Sequence, residues 1–441
     1  MTQCILDRRV KVFILVWFGQ LISLIGSGLT SFALGIWVYH RTGSVTDFAL
    51  ISLFTFLPSI VLLPLAGVFV DRWDRRSCML LSDAGAACST IAVAFLLFTG
   101  KLEVWQIYCA VAVNSTFSAF RWPAYTAATT LLVPKQYLGR ANGMLQFGHA
   151  ASQLVAPVLA GVLVGTIQLQ GVILLDFTSF LFAFVTLLLI RIPQPNTTTE
   201  GKVGDGSVLS EAFSGWTYIS RRSGLLGLLI FYCVTNFSLG IVEVLLTPLV
   251  LSFASTAVLG TVLSIGGSGM LLGSVVMSVW RGLKYRIYCV LGFTLLQGIL
   301  LCVGGLRSST SLIAATAFVF LFSLPPILAS SQAIWHSKVP PDIQGRVFAL
   351  QRTIGLSSLP FAYLIAGPLA DHVFEPMLAV NGPLANSVGQ LIGVGPGRGI
   401  GLLFIVLGIF NVLVAIIGYL YPRLRLVEDE LPDAIADLQM L

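Results

Sequence analysis

The chain alternates between long stretches with almost no charged side chain and short clusters that carry most of its lysines and arginines. Twelve stretches of about 20 apolar residues are each long enough, as helices, to cross a hydrocarbon layer of ~30 Å. They lie at 12–38, 48–70, 77–99, 105–129, 141–165, 171–191, 224–251, 257–280, 287–305, 311–335, 347–374 and 399–420. The one polar stretch long enough to be a linker, 193–223, divides them six and six. This pattern predicts an all-α membrane protein of twelve transmembrane helices in two six-helix halves. The expected units are an N-terminal bundle at 1–192, a cytoplasmic linker at 193–223, a C-terminal bundle at 224–422 and an acidic tail at 423–441. Arg8, Arg9 and Lys11 precede the first stretch as in a signal peptide, but its apolar core runs on to Val38 without a small-residue cleavage site. It reads as an uncleaved first helix.

Within the linker, 193–206 is rich in Thr, Gly and Pro and reads as flexible. Val208, Leu209, Ala212, Phe213, Trp216 and Ile219 then recur at helical spacing and end on Arg221 and Arg222, which predicts an amphipathic helix on the cytoplasmic face. The tail, with Glu428, Asp429, Glu430, Asp433 and Asp437, reads as solvated.

Composition agrees with the pattern. Hydrophobic residues make up 56% of the 441 and charged residues 10%, against about a quarter charged in soluble proteins. The net charge of +6 does not point to nucleic acid, because the basic residues are scattered between apolar runs. With both termini inside, 20 of the 25 Lys and Arg residues fall on cytoplasmic segments and four on outer ones, Arg41, Lys101, Arg307 and Arg398. A model with one helix more or fewer would scramble that bias. All seven cysteines but Cys4 fall in apolar stretches without a C-x-x-C, and they read as small buried hydrophobes rather than disulfides or metal ligands.

The sharpest motif is Gly67-Val68-Phe69-Val70-Asp71-Arg72-Trp73-Asp74-Arg75-Arg76, a charged turn between the second and third spans. Gly67 suits close helix approach, Asp71 suits the unsatisfied N–H groups of a helix start, and Arg72, Arg75 and Arg76 suit anionic headgroups on the cytoplasmic side. The pattern G-x-x-x-D-R-x-x-R-R resembles the signature between helices 2 and 3 of the major facilitator superfamily. That resemblance implies two pseudo-symmetric bundles that alternate access around a path near the midplane, with this turn as a conformational gate.

An internal repeat agrees. Val133-Pro134-Lys135-Gln136-Tyr137-Leu138-Gly139-Arg140 recurs 206 residues later as Val339-Pro340-Pro341-Asp342-Ile343-Gln344-Gly345-Arg346, each between the fourth and fifth span of its half. The counterpart of the gate in the second half, Arg281-Gly282-Leu283-Lys284-Tyr285-Arg286, keeps the bases and lacks the aspartate. Gly367 to Asp371 looks like another copy of Gly67 to Asp71 but has no following arginines, and reads as a helix end.

Other segments resemble the drug-proton antiporter branch that includes macrolide-efflux proteins, the enterobactin exporter and lysophospholipid transporters. They are Leu131 to Pro134 with Gly139 to Gly143, and Leu174 to Leu181. Ala156-Pro157-Val158-Leu159-Ala160-Gly161 resembles the antiporter signature G-P-x-x-G-G with alanine at two glycine positions, Ala156 and Ala160, and suits tight packing with a bend at Pro157.

Charged residues inside spans are costly and therefore candidates for function. Arg121 resembles the arginine of the motif that proton antiporters carry in helix 4, without the glycine expected after it. It either lines the cavity or pairs with Asp71 or Asp74 at the inner seal. Glu243, the acid deep in the second half, is a candidate proton carrier or a residue near the outer mouth. Asp83, expected near the inner end of its span, and Asp176, expected near the outer end, are proton or substrate candidates and equally hydrogen-bonded structural acids. His149 and His336 could titrate.

No G-x-x-x-x-G-K-[ST], H-E-x-x-H, G-x-S-x-G or zinc spacing occurs, so neither nucleotide, metal nor catalytic residues are expected. The leading expectation is a non-enzymatic, monomeric carrier in the inner (plasma) membrane, in contact with membrane lipids. It would export a small amphipathic or hydrophobic compound of the drug or macrolide type by proton-coupled alternating access. A siderophore or secondary-metabolite exporter, a lysophospholipid transporter and a non-transporting sensor or scaffold are the alternatives.

Overall fold

The computed structural model describes residues 2–133, 138–190, 216–279, 285–340 and 343–430, which form helices and no strand. Unit 1 comprises Met1–Thr198 with Thr256–Gly260, and unit 2 comprises Thr199–Ser255 with Thr261–Leu441. In unit 1 the long helices are α1 (Thr2–Thr42), α2 (Val45–Arg72), α3 (Arg75–Phe98), α4 (Val104–Leu132) and α5 (Leu138–Leu189). Then come α6 (Ser223–Leu251), α7 (Thr256–Val279), α8 (Arg286–Gly305), α9 (Thr310–Lys338), α10 (Gln344–Pro368) and α11 (Arg398–Leu420).

Ten stretches among the described residues are long and apolar enough to span a membrane, so the twelve expected from the pattern are not all recovered. Two physical reasons account for the difference. The fifth and sixth stretches run together in α5, whose two arms meet at Gln168 alone, at φ 58° and ψ −179°, a left-handed single-residue reversal. The 29-residue α4 is absent from the ten, and it carries Asn114, Ser115, Thr116, Ser118 and Arg121 on one run.

The element ends follow local chemistry. Ser44 caps α2 by accepting from Asp47 N at 3.1 Å. Between α2 and α3 only Trp73 and Asp74 are non-helical, and Asp74 is the N-cap of α3, accepting from the N–H of Ser77 at 3.0 Å. The acceptor at that helix start is therefore Asp74, whereas Asp71 belongs to the last turn of α2. The 206-residue repeat has a matching geometry. Val133 and Val339 each leave their helix extended, at φ −111°, ψ 131° and φ −109°, ψ 124°. A following proline disfavours helical backbone at the preceding residue, so both copies stop α4 and α9 in the same way.

Gly367-Pro368 is not a helix end. The run continues as a π-helical turn, Leu369–Phe374, and a last turn, Glu375–Met377, so the corresponding span reaches Met377. Glu375 then reaches back to the start of α11, accepting from Gly397 N at 3.2 Å and Ile400 N at 3.1 Å. Gly397 sits at φ 78° as the N-cap, where a Cβ would meet the Ser252 side chain. Arg398, assigned to an outer segment, is buried, with Nη2 donating to Gly305 O at 2.7 Å and Nη1 to Ser308 Oγ at 2.8 Å.

Each unit has its own core. In unit 1 it joins residues of all five helices, among them Leu34, Ile51, Val93, Ile107 and Val172. In unit 2 it joins Leu228, Ile287, Trp335 and Val347 with Ile219 of the linker and Leu424 and Val427 of the tail. The linker helix is described only over 216–220, and there Ile219 is inserted into the core. The start of the tail is likewise packed rather than solvated. Val427 and Leu424 are buried, and Glu428 accepts the N–H of Ile287 at 2.9 Å while its backbone carbonyl accepts from Lys338 Nζ. Burial of two aliphatic side chains outweighs solvation of the flanking acids.

The outside of both units is apolar. Leu189, Phe98, Phe95, Leu420, Ile417 and Val61 are all more than 60% exposed, the reverse of a water-facing surface. Cys88 and Cys109, expected to be buried, are exposed on this apolar surface.

Candidate functional site

A buried polar cluster lies inside unit 1, built by α1, α3, α4 and the second arm of α5. Asp83 enters from α3, eight residues after the helix begins, and Asp176 from α5, eight residues after the Gln168 reversal. At 1.5 Å per residue each lies about 12 Å from its own end of a ~30 Å span, so both approach the middle from opposite sides. The sequence suggested the inner end for Asp83 and the outer end for Asp176, and the structure brings the two acids together. Both line one cavity of about 10 Å³, the order of space one water needs. Asp83 is 1% and Asp176 3% exposed.

Arg121 of α4 supplies the base. Its Nη1 is 3.5 Å from Asp83 Oδ1, a long ion pair that leaves the guanidinium partly free. Arg121 lines this cavity. Asp74 is engaged with Ser77, and the side chain of Asp71 lies outside the described residues.

The remaining donors come from α1. Gln20 Nε2 donates to Asp83 Oδ2 at 3.1 Å, and Ser27 Oγ donates to Asp176 Oδ1 at 3.3 Å. Ser23 lines the cavity between them. Gln20, Ser23 and Ser27 were not singled out from the sequence, although their i, i+3, i+7 spacing is a polar stripe on an otherwise apolar helix. Phe177 and Phe180 close the cavity with aromatic faces. One turn from Arg121 on α4, Tyr125 is buried with no hydrogen-bond partner for its hydroxyl among the described residues. The cluster thus holds two acids against one base, with aromatic walls and few fixed hydrogen bonds. A second carboxyl in such a place requires a proton or another cation.

The other expected residues lie elsewhere. Arg76 ties the end of α5 to α3, donating from Nε to Leu187 O at 2.9 Å and from Nη2 to Leu188 O at 2.7 Å. Arg75 has buried Nε and Nη1 atoms without a described partner. Gly67 and Arg72 fall on α2, and what surrounds them, as for Asp71 and His149, lies outside the described residues. Ala156 and Ala160 are buried against α1, and a Cβ on Gly28 would sit 2.7 Å from the Ala156 Cβ. Ser152 one turn earlier donates to Leu24 O at 2.8 Å. The 156–161 segment, with Pro157 half-buried and Gly161 buried, is thus a close helix contact within unit 1.

In unit 2, Glu243 lies on an accessible face of α6 and accepts from Tyr363 OH at 3.2 Å, with no base beside it among the described residues. His336 is exposed and stacks edge-on against Phe348. No group of three metal-ligating side chains occurs among the described residues.

The sequence profile of the Major Facilitator Superfamily matches residues 16–363. The chain belongs to that superfamily. Its members are carriers, and this chain is an integral multi-pass membrane protein with their fold. Among curated relatives, it is similar to macrolide efflux protein A of Streptococcus pyogenes, 27% identical over 365 residues, covering 82% of this chain and 90% of that protein. It is also similar to the multidrug efflux pump Tap of Mycolicibacterium fortuitum, 23% identical over 370 residues, 81% and 89% of the two chains. The fold is that of a bacterial homologue of the human lysosomal transporter Spinster, inward-facing and unoccupied, with TM-score 0.68 at 13% identity over 92% and 97% of the chains. The nucleoside transporter NupG has it too, with TM-score 0.66 at 15% identity over 93% and 97%.

Proposed function

We propose that this superfamily member is a proton-coupled exporter of small amphipathic compounds of the drug or macrolide type, preferentially those with a basic group. The observation that carries the reading is the pairing of two buried carboxyls, Asp83 and Asp176, with the single base Arg121 beside Phe177 and Phe180. Arg121 balances one carboxylate. The other is balanced either by a proton or by a cationic group of the substrate, and the aromatic walls suit the apolar remainder. Mutual exclusion of proton and substrate at one acid is antiport in its simplest physical form. The efflux relatives named above support the direction and the substrate class.

Both termini face the cytoplasm of the plasma (inner) membrane in this reading, which rests on the 20-to-4 distribution of Lys and Arg. The turn from Gly67 to Arg76 acts as the conformational gate at that face. The test is flux in proteoliposomes carrying the full chain, with an imposed pH gradient and a panel of macrolides and lipophilic amines. Uphill movement of a basic amphiphile that collapses with the pH gradient is expected. Flux indifferent to the gradient overturns proton coupling, and no flux of any amphiphile overturns the substrate class.

A further inference from the structure

A groove of about 320 Å³ lies within unit 2, where the start of α6 meets the end of α11. Its walls are Leu226, Ile230 and Val234 from α6, Val414 and Ile417 from α11, and Tyr421 just after α11, and almost every surface it presents is apolar. Both helices are spans, and Leu413, Ile417 and Leu420 next to the groove are strongly exposed on α11. What surrounds this face is hydrocarbon. The groove therefore lies at acyl-chain depth, and Tyr421 sits at the interfacial position favoured by aromatic rings.

Three bases flank the lining residues along the chain. Arg221 and Arg222 immediately precede the lining residue Ser223, and Arg425 follows the lining residue Leu424. Arg222 is held in place, its guanidinium 3.6 Å from the Tyr218 ring centroid with Nη1 donating to Tyr218 O. Arg425 rests 5.4 Å over the Tyr419 ring. Two of the three neighbouring acids are engaged elsewhere, and the third, Asp429, is exposed. Glu430 pairs with Arg423 at 2.9 Å, and Glu428 faces the backbone of Ile287. None of Arg221, Arg222 and Arg425 is paired with a described carboxylate. The α6 start adds no acid in its first turn.

We infer that this groove is a binding site for an anionic phospholipid, with one acyl chain between α6 and α11 and the phosphate held by Arg221, Arg222 and Arg425. An apolar slot at chain depth beneath three bases at headgroup depth matches both ends of such a molecule. A zwitterionic lipid matches only the slot. The site is separate from the acid cluster of unit 1 and stands whether or not that cluster carries protons.

The test is lipid retention by the purified full-length protein in native mass spectrometry, with phosphatidylglycerol and phosphatidylcholine of identical chains as probes. Wild type is expected to retain phosphatidylglycerol in preference to phosphatidylcholine. The double variant Arg221→Gln, Arg222→Gln is expected to lose that preference, about tenfold or more from two removed charges. Gly227→Leu, which projects a side chain into the groove, is expected to lower retention of both lipids alike. Circular dichroism and elution volume establish that each variant is folded. Equal retention of the two lipids by wild type overturns the inference, as does a wild-type preference that survives both variants. A lipid-free dimer joined through this face overturns it as well.

Discussion

Asp83 and Arg121, 38 residues apart on neighbouring helices, form an ion pair at 3.5 Å on the wall of a cavity that Asp176 also lines. Buried pairs of this kind are sensitive to loss of one member, which leaves the other charge without compensation, by about 3–5 kcal/mol. Asp83→Asn and Arg121→Gln are each expected to destabilise the protein, and the double variant is expected to be more stable than the Arg121→Gln single. Thermal unfolding in detergent reads the order. Additive losses would show that the two side chains do not interact.

The pH dependence of transport distinguishes the acids. Asp176→Asn removes the surplus carboxyl of the cluster but keeps an oxygen that can accept from Ser27. Its transport is expected to become independent of the imposed pH gradient. Glu243→Gln keeps the acceptor for Tyr363 and is expected to leave proton coupling intact. Flux measured at several gradients decides, and the opposite assignment would move the proton site to Glu243 in unit 2.

Much of this arrangement was legible in the sequence, and the parts that were not have physical reasons. The span pattern located both arms of α5 because apolar length is a local property, yet nothing local marked Gln168 as the whole of the reversal. Asp83 and Asp176 read as intramembrane acids near opposite ends of their spans, and only the structure shows that they share a cavity. Depth along a helix is measured from where that helix begins, and the chain approaches the cavity from both sides. Asp74 outcompetes Asp71 as the cap of α3 because the turn is two residues long, which only the backbone reveals. The polar stripe of Gln20, Ser23 and Ser27 was visible but uncharged, and an uncharged stripe in an apolar helix is easily passed over.

The contact between α1 and α5 leaves room for hydrogen and nothing more. Gly28→Ala is expected to destabilise by about 1–3 kcal/mol through the clash with Ala156. Adding Ala156→Gly is expected to recover most of that loss, measured by thermal unfolding. No recovery would place the cost somewhere other than this contact.

Glu428 supplies an acceptor to the start of α8 from a distant part of the chain, where Tyr285 offers no side-chain cap. Glu428→Ala is expected to cost about 1–2 kcal/mol, in the range of a lost helix cap or charge-assisted hydrogen bond. Glu428→Gln, which still accepts, is expected to cost less. The unfolding midpoints of the two variants give the comparison, and equal, unaltered midpoints would mean that the tail does not hold α8.

The central claim is that a proton and a basic substrate exclude one another at the cluster of Asp83, Arg121 and Asp176. Proton release is its most direct measure: substrate is added to purified protein in weakly buffered detergent solution and the pH change is recorded. The account predicts release of about one proton per bound cationic substrate in wild type and none in Asp176→Asn. Saturable substrate binding by the wild type with no proton released would contradict it.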